Sequence, residues 1–244
     1  MSRIAVITGA SRGIGAATAR LLAAEGYRLV LGYCHSTEKA VTLQRELQEK
    51  GAEVSIVQAD VADEAGARAL IDCAVTTYGG LDVLINNAGI SQIKLFTDIT
   101  PEEWHRMFAV NMDGIYYTCR AAVPIFVRQH SGSIINVSSI WGIAGASCEV
   151  HYSASKAAVI GFTKALAKEL GPSSIRVNCV APGAVGTEMN AHLTAEELHM
   201  LEEEIPLCRM GTPEEAAAAI AFLAGEKASY FTGQVLSPNG GIVI

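Results

Sequence analysis

Short apolar runs alternate along the chain with longer stretches in which apolar residues recur every three to four positions. The runs cover 4–7, 29–32, 54–57, 83–85, 134–137 and 177–180, with a last one at Val235-Leu236; the helical patterns cover 16–25, 38–50, 64–78, 104–129, 152–170 and 214–223. Near-continuous Val, Ile and Leu in a short strand signals burial on both faces, and a helix after each strand signals a crossover connection. The pattern predicts an α/β fold in which seven parallel strands form a doubly wound sheet flanked by helices on both faces. Capping-box sequences at Thr100, Thr194 and Thr212, each with Glu three residues on, mark helix starts and carry no chemistry.

Composition narrows the picture. At 244 residues and 50% hydrophobic content, one domain spanning 1–244 can bury a full core. The stretch 187–210 breaks the strand–helix rhythm and holds a cluster of glutamates whose simplest reading is a solvated helix face. An excess of 25 acidic over 18 basic residues, net charge −7, argues against a nucleic-acid binder. Six scattered cysteines form no Cys-x-x-Cys pair and no cluster with histidine, so a reduced, cytoplasmic protein with no metal site is expected. No apolar run approaches membrane-span length, and the apolar run at 4–7 begins too close to Met1 for a removable signal peptide to be expected.

Chemistry enters with Tyr152-Ser-Ala-Ser-Lys156, which sets a phenol and an ammonium four residues apart on one helix face. At 4 to 5 Å and an effective dielectric of about 20, such an ammonium would stabilise the phenolate by about 3 to 4 kcal/mol, lowering the phenol's pKa by about two to three units. Alone, such a pair is more often a packed ring beside a solvated amine. A glycine-rich turn, Thr8-Gly9-Ala10-Ser11-Arg12-Gly13-Ile14-Gly15, lies between the first strand and the first helix. A turn of this kind presents backbone N–H groups and a positive helix end to a pyrophosphate. Asn86-Asn87-Ala88-Gly89 ends the fourth run, and Ser139 lies thirteen residues before Tyr152.

Together these motifs, in this order and over nearly the whole chain, resemble the short-chain dehydrogenase/reductase family. Within it the chain is most similar to the 3-oxoacyl-(acyl carrier protein) reductases of fatty-acid synthesis and their paralogues. The resemblance implies a single-domain Rossmann fold and an NADPH-dependent ketone reductase whose catalytic group is Asn111, Ser139, Tyr152 and Lys156. Tyr152 would donate the proton, Lys156 would tune it and bind the nicotinamide ribose, and Ser139 would bond the carbonyl oxygen. Asn111 would hold a water linking Lys156 to solvent. The implied cofactor contacts are Gly9, Ser11, Arg12, Gly13, Ile14 and Gly15 in the glycine loop and Tyr33, His35 and Ser36 at the second strand's end. Asp60 and Val61 would hold the adenine, Asn87, Ala88 and Gly89 would run beside the cofactor, and Pro182, Gly183, Val185 and Thr187 would meet the nicotinamide, joined by Tyr152 and Lys156. The second strand ends Gly32-Tyr33-Cys34-His35-Ser36 without an acid that would repel a 2′-phosphate, which favours NADPH over NADH. The family also implies a homotetramer and a substrate lid at 187–210.

The identity of the ketone is less clear from the residues. Relatives in fatty-acid synthesis carry Gln-Ala-Asn-Tyr into the tyrosine, whereas this chain reads Glu149-Val150-His151-Tyr152. Glu149 either reaches water or meets a cation. Two carrier-docking arginines are replaced by His130 and Ser173, with Arg128 and Arg176 nearby as substitutes. The substrate is thus a ketone carried on acyl carrier protein or, in the alternative suggested by the paralogues, a 5-aminopentanone group on a lysine of elongation factor P, whose ammonium Glu149 would pair. A nonenzymatic NADPH-binding regulator is a third possibility, against which the intact tetrad argues. Trp141 and Met189 are further substrate-pocket candidates.

Overall fold

The computed structural model describes residues 2–188 and 194–244. Seven strands form one sheet in the order β3-β2-β1-β4-β5-β6-β7: β1 Ile4–Ile7, β2 Arg28–Tyr33, β3 Val54–Gln58, β4 Val83–Asn86, β5 Gly132–Val137, β6 Ile175–Val180 and β7 Val235–Leu236. Every neighbouring pair is parallel. The chain reverses its direction of winding between β1 and β4, so the sheet is doubly wound as the pattern predicted.

Alternation along each strand divides the core in two. Val6, Leu84, Ile134 and Val177 point to one side and pack with α3 (Glu64–Tyr78), α5 (Gly114–Gln129) and α6 (Val150–Leu170) around buried Leu70, Phe126 and Val159. Ile7, Ile85, Ile135 and Val180 point to the other and meet α1 (Gly13–Ala24), α2 (Thr37–Glu49) and α8 (Pro213–Ala224) around Leu22, Leu43 and Leu223. The remaining helices are α4 (Pro101–Phe108) and α7 (Ala195–Glu204). All three capping boxes form, Thr100, Thr194 and Thr212 each accepting from the backbone of the glutamate three residues on.

One predicted element differs. The single helix expected over 104–129 is α4, a π-helical turn Ala109–Asp113 and α5 in unbroken succession. It begins earlier because Pro101 occupies the first helical position, where its missing N–H costs nothing. The wide turn falls on Asn111, and such turns cluster at functional sites.

Inside the first core, a chain of polar side chains crosses the sheet. Thr118 Oγ1 donates to Asn86 Oδ1 at 2.7 Å, Asn86 Nδ2 to Asn136 Oδ1 at 2.9 Å, and Asn136 Nδ2 to Thr163 Oγ1 at 2.9 Å. It ties α5, β4, β5 and α6 together, and all four side chains are buried.

Candidate active site

Because all strands run the same way, each motif following a strand end arrives at the carboxyl edge of the sheet, where doubly wound folds bind ligands. The glycine loop follows β1, His35 and Ser36 follow β2, Asp60 and Val61 follow β3, Asn87 to Gly89 follow β4, Ser139 follows β5, and Pro182 and Gly183 follow β6.

The glycine loop is clasped to the end of β4. Thr8 Oγ1 accepts from the backbone N–H of Asn87 and of Ala88, and Asn87 Nδ2 donates to the carbonyls of Thr8 and Gly9, all at 3.0 Å. Crowding explains the glycines. Gly9 has φ +63, and a Cβ on it would stand 2.8 Å from Ala88 Cα; a Cβ on Gly15 would stand 2.4 Å from the Gly9 carbonyl oxygen. Arg12, ahead of α1, makes no side-chain cap, which leaves the first-turn N–H groups available to an anion. A tight, side-chain-free turn against an uncapped helix start fits a dinucleotide pyrophosphate. Thr187 lies over this turn, its Cγ2 3.4 Å from where a Cβ on Gly13 would be.

Elsewhere along the edge, Tyr33 and Val61 are buried and His35 is exposed beside Cys34. Asp60 accepts from Ala62 N–H at 3.0 Å and from Arg106 Nη2 at 2.9 Å. Pro182 accepts from Ile140 N–H, Gly183 N–H donates to Pro238, and Val185 bridges Gly211.

At the reacting centre Tyr152, Ser139 and Lys156 come together. Ser138 and Ser139 separate cleanly: Ser138 donates to the Lys156 carbonyl at 2.7 Å, whereas the Ser139 hydroxyl accepts from Trp141 N–H at 3.2 Å and acts on the Tyr152 phenol, favouring its ionised form. Lys156, 3% exposed, donates to the Val137 carbonyl at 2.9 Å. Its Nζ lies 5.8 Å from the centre of the Tyr152 ring. Gly89 keeps the space beside it open, since a Cβ there would be 3.1 Å from Lys156 Nζ and 3.3 Å from Asn111 Oδ1.

The expected lowering of the tyrosine's pKa is not what this arrangement gives. Burial pushes the Tyr152 phenol up to about 12, the Ser139 bond acting against it and the Glu149 charge adding to it. Burial likewise pushes Lys156 down to about 8. With its own pKa at about 8, Lys156 loses its charge before the buried phenol titrates, so it does not offset the cost of a phenolate.

Asn111 is fully buried, and its amide is already engaged. Oδ1 accepts from Ile90 N–H at 2.9 Å; Nδ2 donates to the Ile90 carbonyl at 2.9 Å and to Ser155 Oγ at 3.0 Å. Ser155 donates in turn to the Tyr152 carbonyl at 2.7 Å. The side chain thus fixes the segment after β4 against α6.

Of the substrate candidates, Glu149 stands directly ahead of α6 and its charge reaches the phenol. Trp141 is half-buried in the turn after Ser139, and Met189 lies outside the described residues. Sequence reasoning missed Thr8, Ser155 and His151. The last is wholly buried beside Tyr152, with Nε2 3.0 Å from Gln92 Oε1 and Nδ1 unpartnered. Among the described residues, no group of three or more His, Cys, Asp or Glu is placed to hold a metal ion, and no helix is long and apolar enough to cross a membrane.

A family model described as enoyl-(acyl carrier protein) reductase matches residues 9–243. The 3-oxoacyl-(acyl carrier protein) reductase FabG of Staphylococcus aureus is 42% identical over 242 residues, 99% of this chain and 98% of that protein. The chain belongs to the short-chain dehydrogenase/reductase family. The uncharacterized oxidoreductase YmfI of Bacillus subtilis is 45% identical over 99% of both chains. A 3-oxoacyl-(acyl carrier protein) reductase of Synechocystis is 41% identical over all of this chain and 98% of its own length. Membership makes the protein an oxidoreductase acting on CH–OH and C=O groups with a nicotinamide cofactor.

Proposed function

We propose that the protein reduces a ketone to a secondary alcohol with NADPH, and that its substrate is a 3-oxoacyl group on acyl carrier protein. The observation that carries the reaction is the buried Tyr152 phenol placed with Ser139 and beside Lys156. NADPH would supply the hydride to the carbonyl carbon. The phenol, protonated far above neutral pH, gives its proton to the carbonyl oxygen as charge develops there, and Ser139 supplies a second bond to that oxygen. Lys156 places a cation behind the ring, and Asn111 and Ser155 hold α6 in register with the segment after β4. The substrate assignment rests on the 3-oxoacyl-(acyl carrier protein) reductases among the relatives, those of Staphylococcus aureus and Synechocystis included.

NADPH oxidation with acetoacetyl-acyl carrier protein tests this reading. Turnover should fall by about 10³-fold or more in Tyr152→Phe, which keeps the ring and removes the proton. Negligible turnover by a wild-type protein that binds NADPH rejects the carrier substrate.

Two observations favour a second substrate, an amino ketone such as the 5-aminopentanone group on elongation factor P. Glu149 stands directly ahead of the helix that carries Tyr152 and its charge acts on the phenol, which places a carboxylate near the reaction end of the site. Moreover, Arg176, a candidate for carrier docking, is held at the C-terminal end of α8, donating to the carbonyls of Leu223 at 2.7 Å and Gly225 at 3.1 Å. On this reading Glu149→Gln lowers kcat/KM for an amino ketone by about 10-fold, the cost of leaving an ammonium without its counter-charge, and changes a neutral ketone little. Equal losses on both rule it out.

A further inference from the structure

Tyr152 stands in the first turn of α6, where a helix is least secured. Glu149, at its head, makes no side-chain cap bond, so the turn depends on anchors from other elements. The segment after β4 supplies two. Lys94 N–H donates to the Cys148 carbonyl at 2.7 Å, just ahead of the helix, and Gln92 Oε1 lies 3.0 Å from Nε2 of the wholly buried His151. Hydrogen-bond roles along this line are set at its far end. Glu103, on α4, is held as a carboxylate at about 2, chiefly by Lys94 and then by the Thr100 backbone N–H, and can only accept. Its Oε1 takes the Gln92 amide N–H at 2.8 Å, which turns Gln92 Oε1 toward the imidazole and makes His151 Nε2 the donor. Nδ1 is then the bare nitrogen of a neutral ring, buried and with no partner among the described residues. Burial lowers the His151 pKa, which keeps the ring neutral.

We infer that His151 is a positioning residue for the reduction: as the neutral tautomer protonated at Nε2, it ties the first turn of α6 through Gln92 to Glu103 of α4 and so holds the Tyr152 phenol in place. Consecutive helical residues point about 100° apart, so His151 reaches the segment after β4 while Tyr152 reaches the Ser139 side. A slip of that turn would carry the phenol away from its working position and leave the chemistry of both hydroxyls intact. Proton donation to a carbonyl tolerates little such motion. Leucine at 151 fills the space and loses the bond, whereas glutamine carries an amide N–H that can replace the Nε2 donor. The inference rests on Tyr152 as the proton donor and is independent of which ketone is reduced.

Hydrogen exchange and turnover of the full-length protein test this together. In His151→Leu the amides of 153–155, whose bonds close the first turn of α6, should exchange about 10-fold faster with the rest of the helix unchanged, and in His151→Gln they should stay within about 2-fold of wild type. With acetoacetyl-acyl carrier protein and NADPH, His151→Leu and Gln92→Leu should each lower kcat by about 10-fold and leave KM for NADPH within about 2-fold, whereas His151→Gln should lower kcat by less than about 3-fold. Because the two residues act through one bond, the double variant should lose about as much as either single one; independent packing defects would multiply. Equal effects of leucine and glutamine, or losses that multiply, overturn the inference and leave Tyr152 as the proton donor. If Tyr152→Phe turns over as fast as wild type, the proton-donor reading fails and the inference with it. A wild type that does not reduce acetoacetyl-acyl carrier protein overturns only the carrier substrate, and the exchange comparison, which needs no substrate, then decides the inference.

Discussion

Lys156 has opposite effects on folding and on chemistry. Burial moves its pKa from an ordinary value near 10.5 down to about 8. Between those two values the unfolded chain binds a proton that the folded chain has lost. Stability of the cofactor-free protein should therefore rise with pH across that window, by about 3 kcal/mol in total, and be level below it. Tyr152, raised to about 12, opposes this only above about pH 10, where the folded protein keeps the phenol's proton longer. Urea unfolding of wild type and Lys156→Met at pH 7 and 9.5 checks the slope, which the variant should lose while becoming more stable at pH 7 and inactive. That Tyr152 and Lys156 share one helix face was legible in the sequence from their spacing, and the roles given to them came from the resemblance. The direction of the tyrosine shift was not, because it depends on how much water the fold removes. Nor were the bonds of the Asn111 amide, which engages a backbone segment, Ile90, that no helical or strand periodicity connects to it.

At the level of elements, local signals were decisive wherever they were self-contained. The three Thr-x-x-Glu starts form because each box satisfies its own helix's first donors without help from the rest of the fold. Thr212→Ala removes the bond to Glu215 N–H, at 3.2 Å, from a helix distant in sequence from the catalytic residues. It should cost about 1 kcal/mol and lower Tm by about 2–4 °C with kcat unchanged, read by thermal denaturation and turnover on the same sample. The wide turn at Ala109–Asp113 could not be read in this way. It arises from one residue more than an α-helix accommodates between α4, held against the segment after β4, and α5, held against α3, and only the packed structure reveals that mismatch.

For the whole molecule, the division of the core follows from alternation within the strands, and the convergence of motifs follows from parallel strands. Both were readable from the hydrophobic pattern. The polar chain Thr118–Asn86–Asn136–Thr163 was not, because its members lie on four elements far apart in sequence. Asn136→Ala leaves donors and acceptors on both neighbours unmatched in the core, and should cost about 2–4 kcal/mol, measured as a lower urea midpoint at constant m-value. The clasp between Thr8 and Asn87 has a different kind of consequence. It couples cofactor grip and carbonyl geometry, so that a change loosening one degrades the other, and selection acting there meets two penalties at once. The Arg12 side chain lies outside the clasp and more than half in water, where single substitutions are tolerated. Change at that rim would therefore be expected to leave the catalytic centre unaltered.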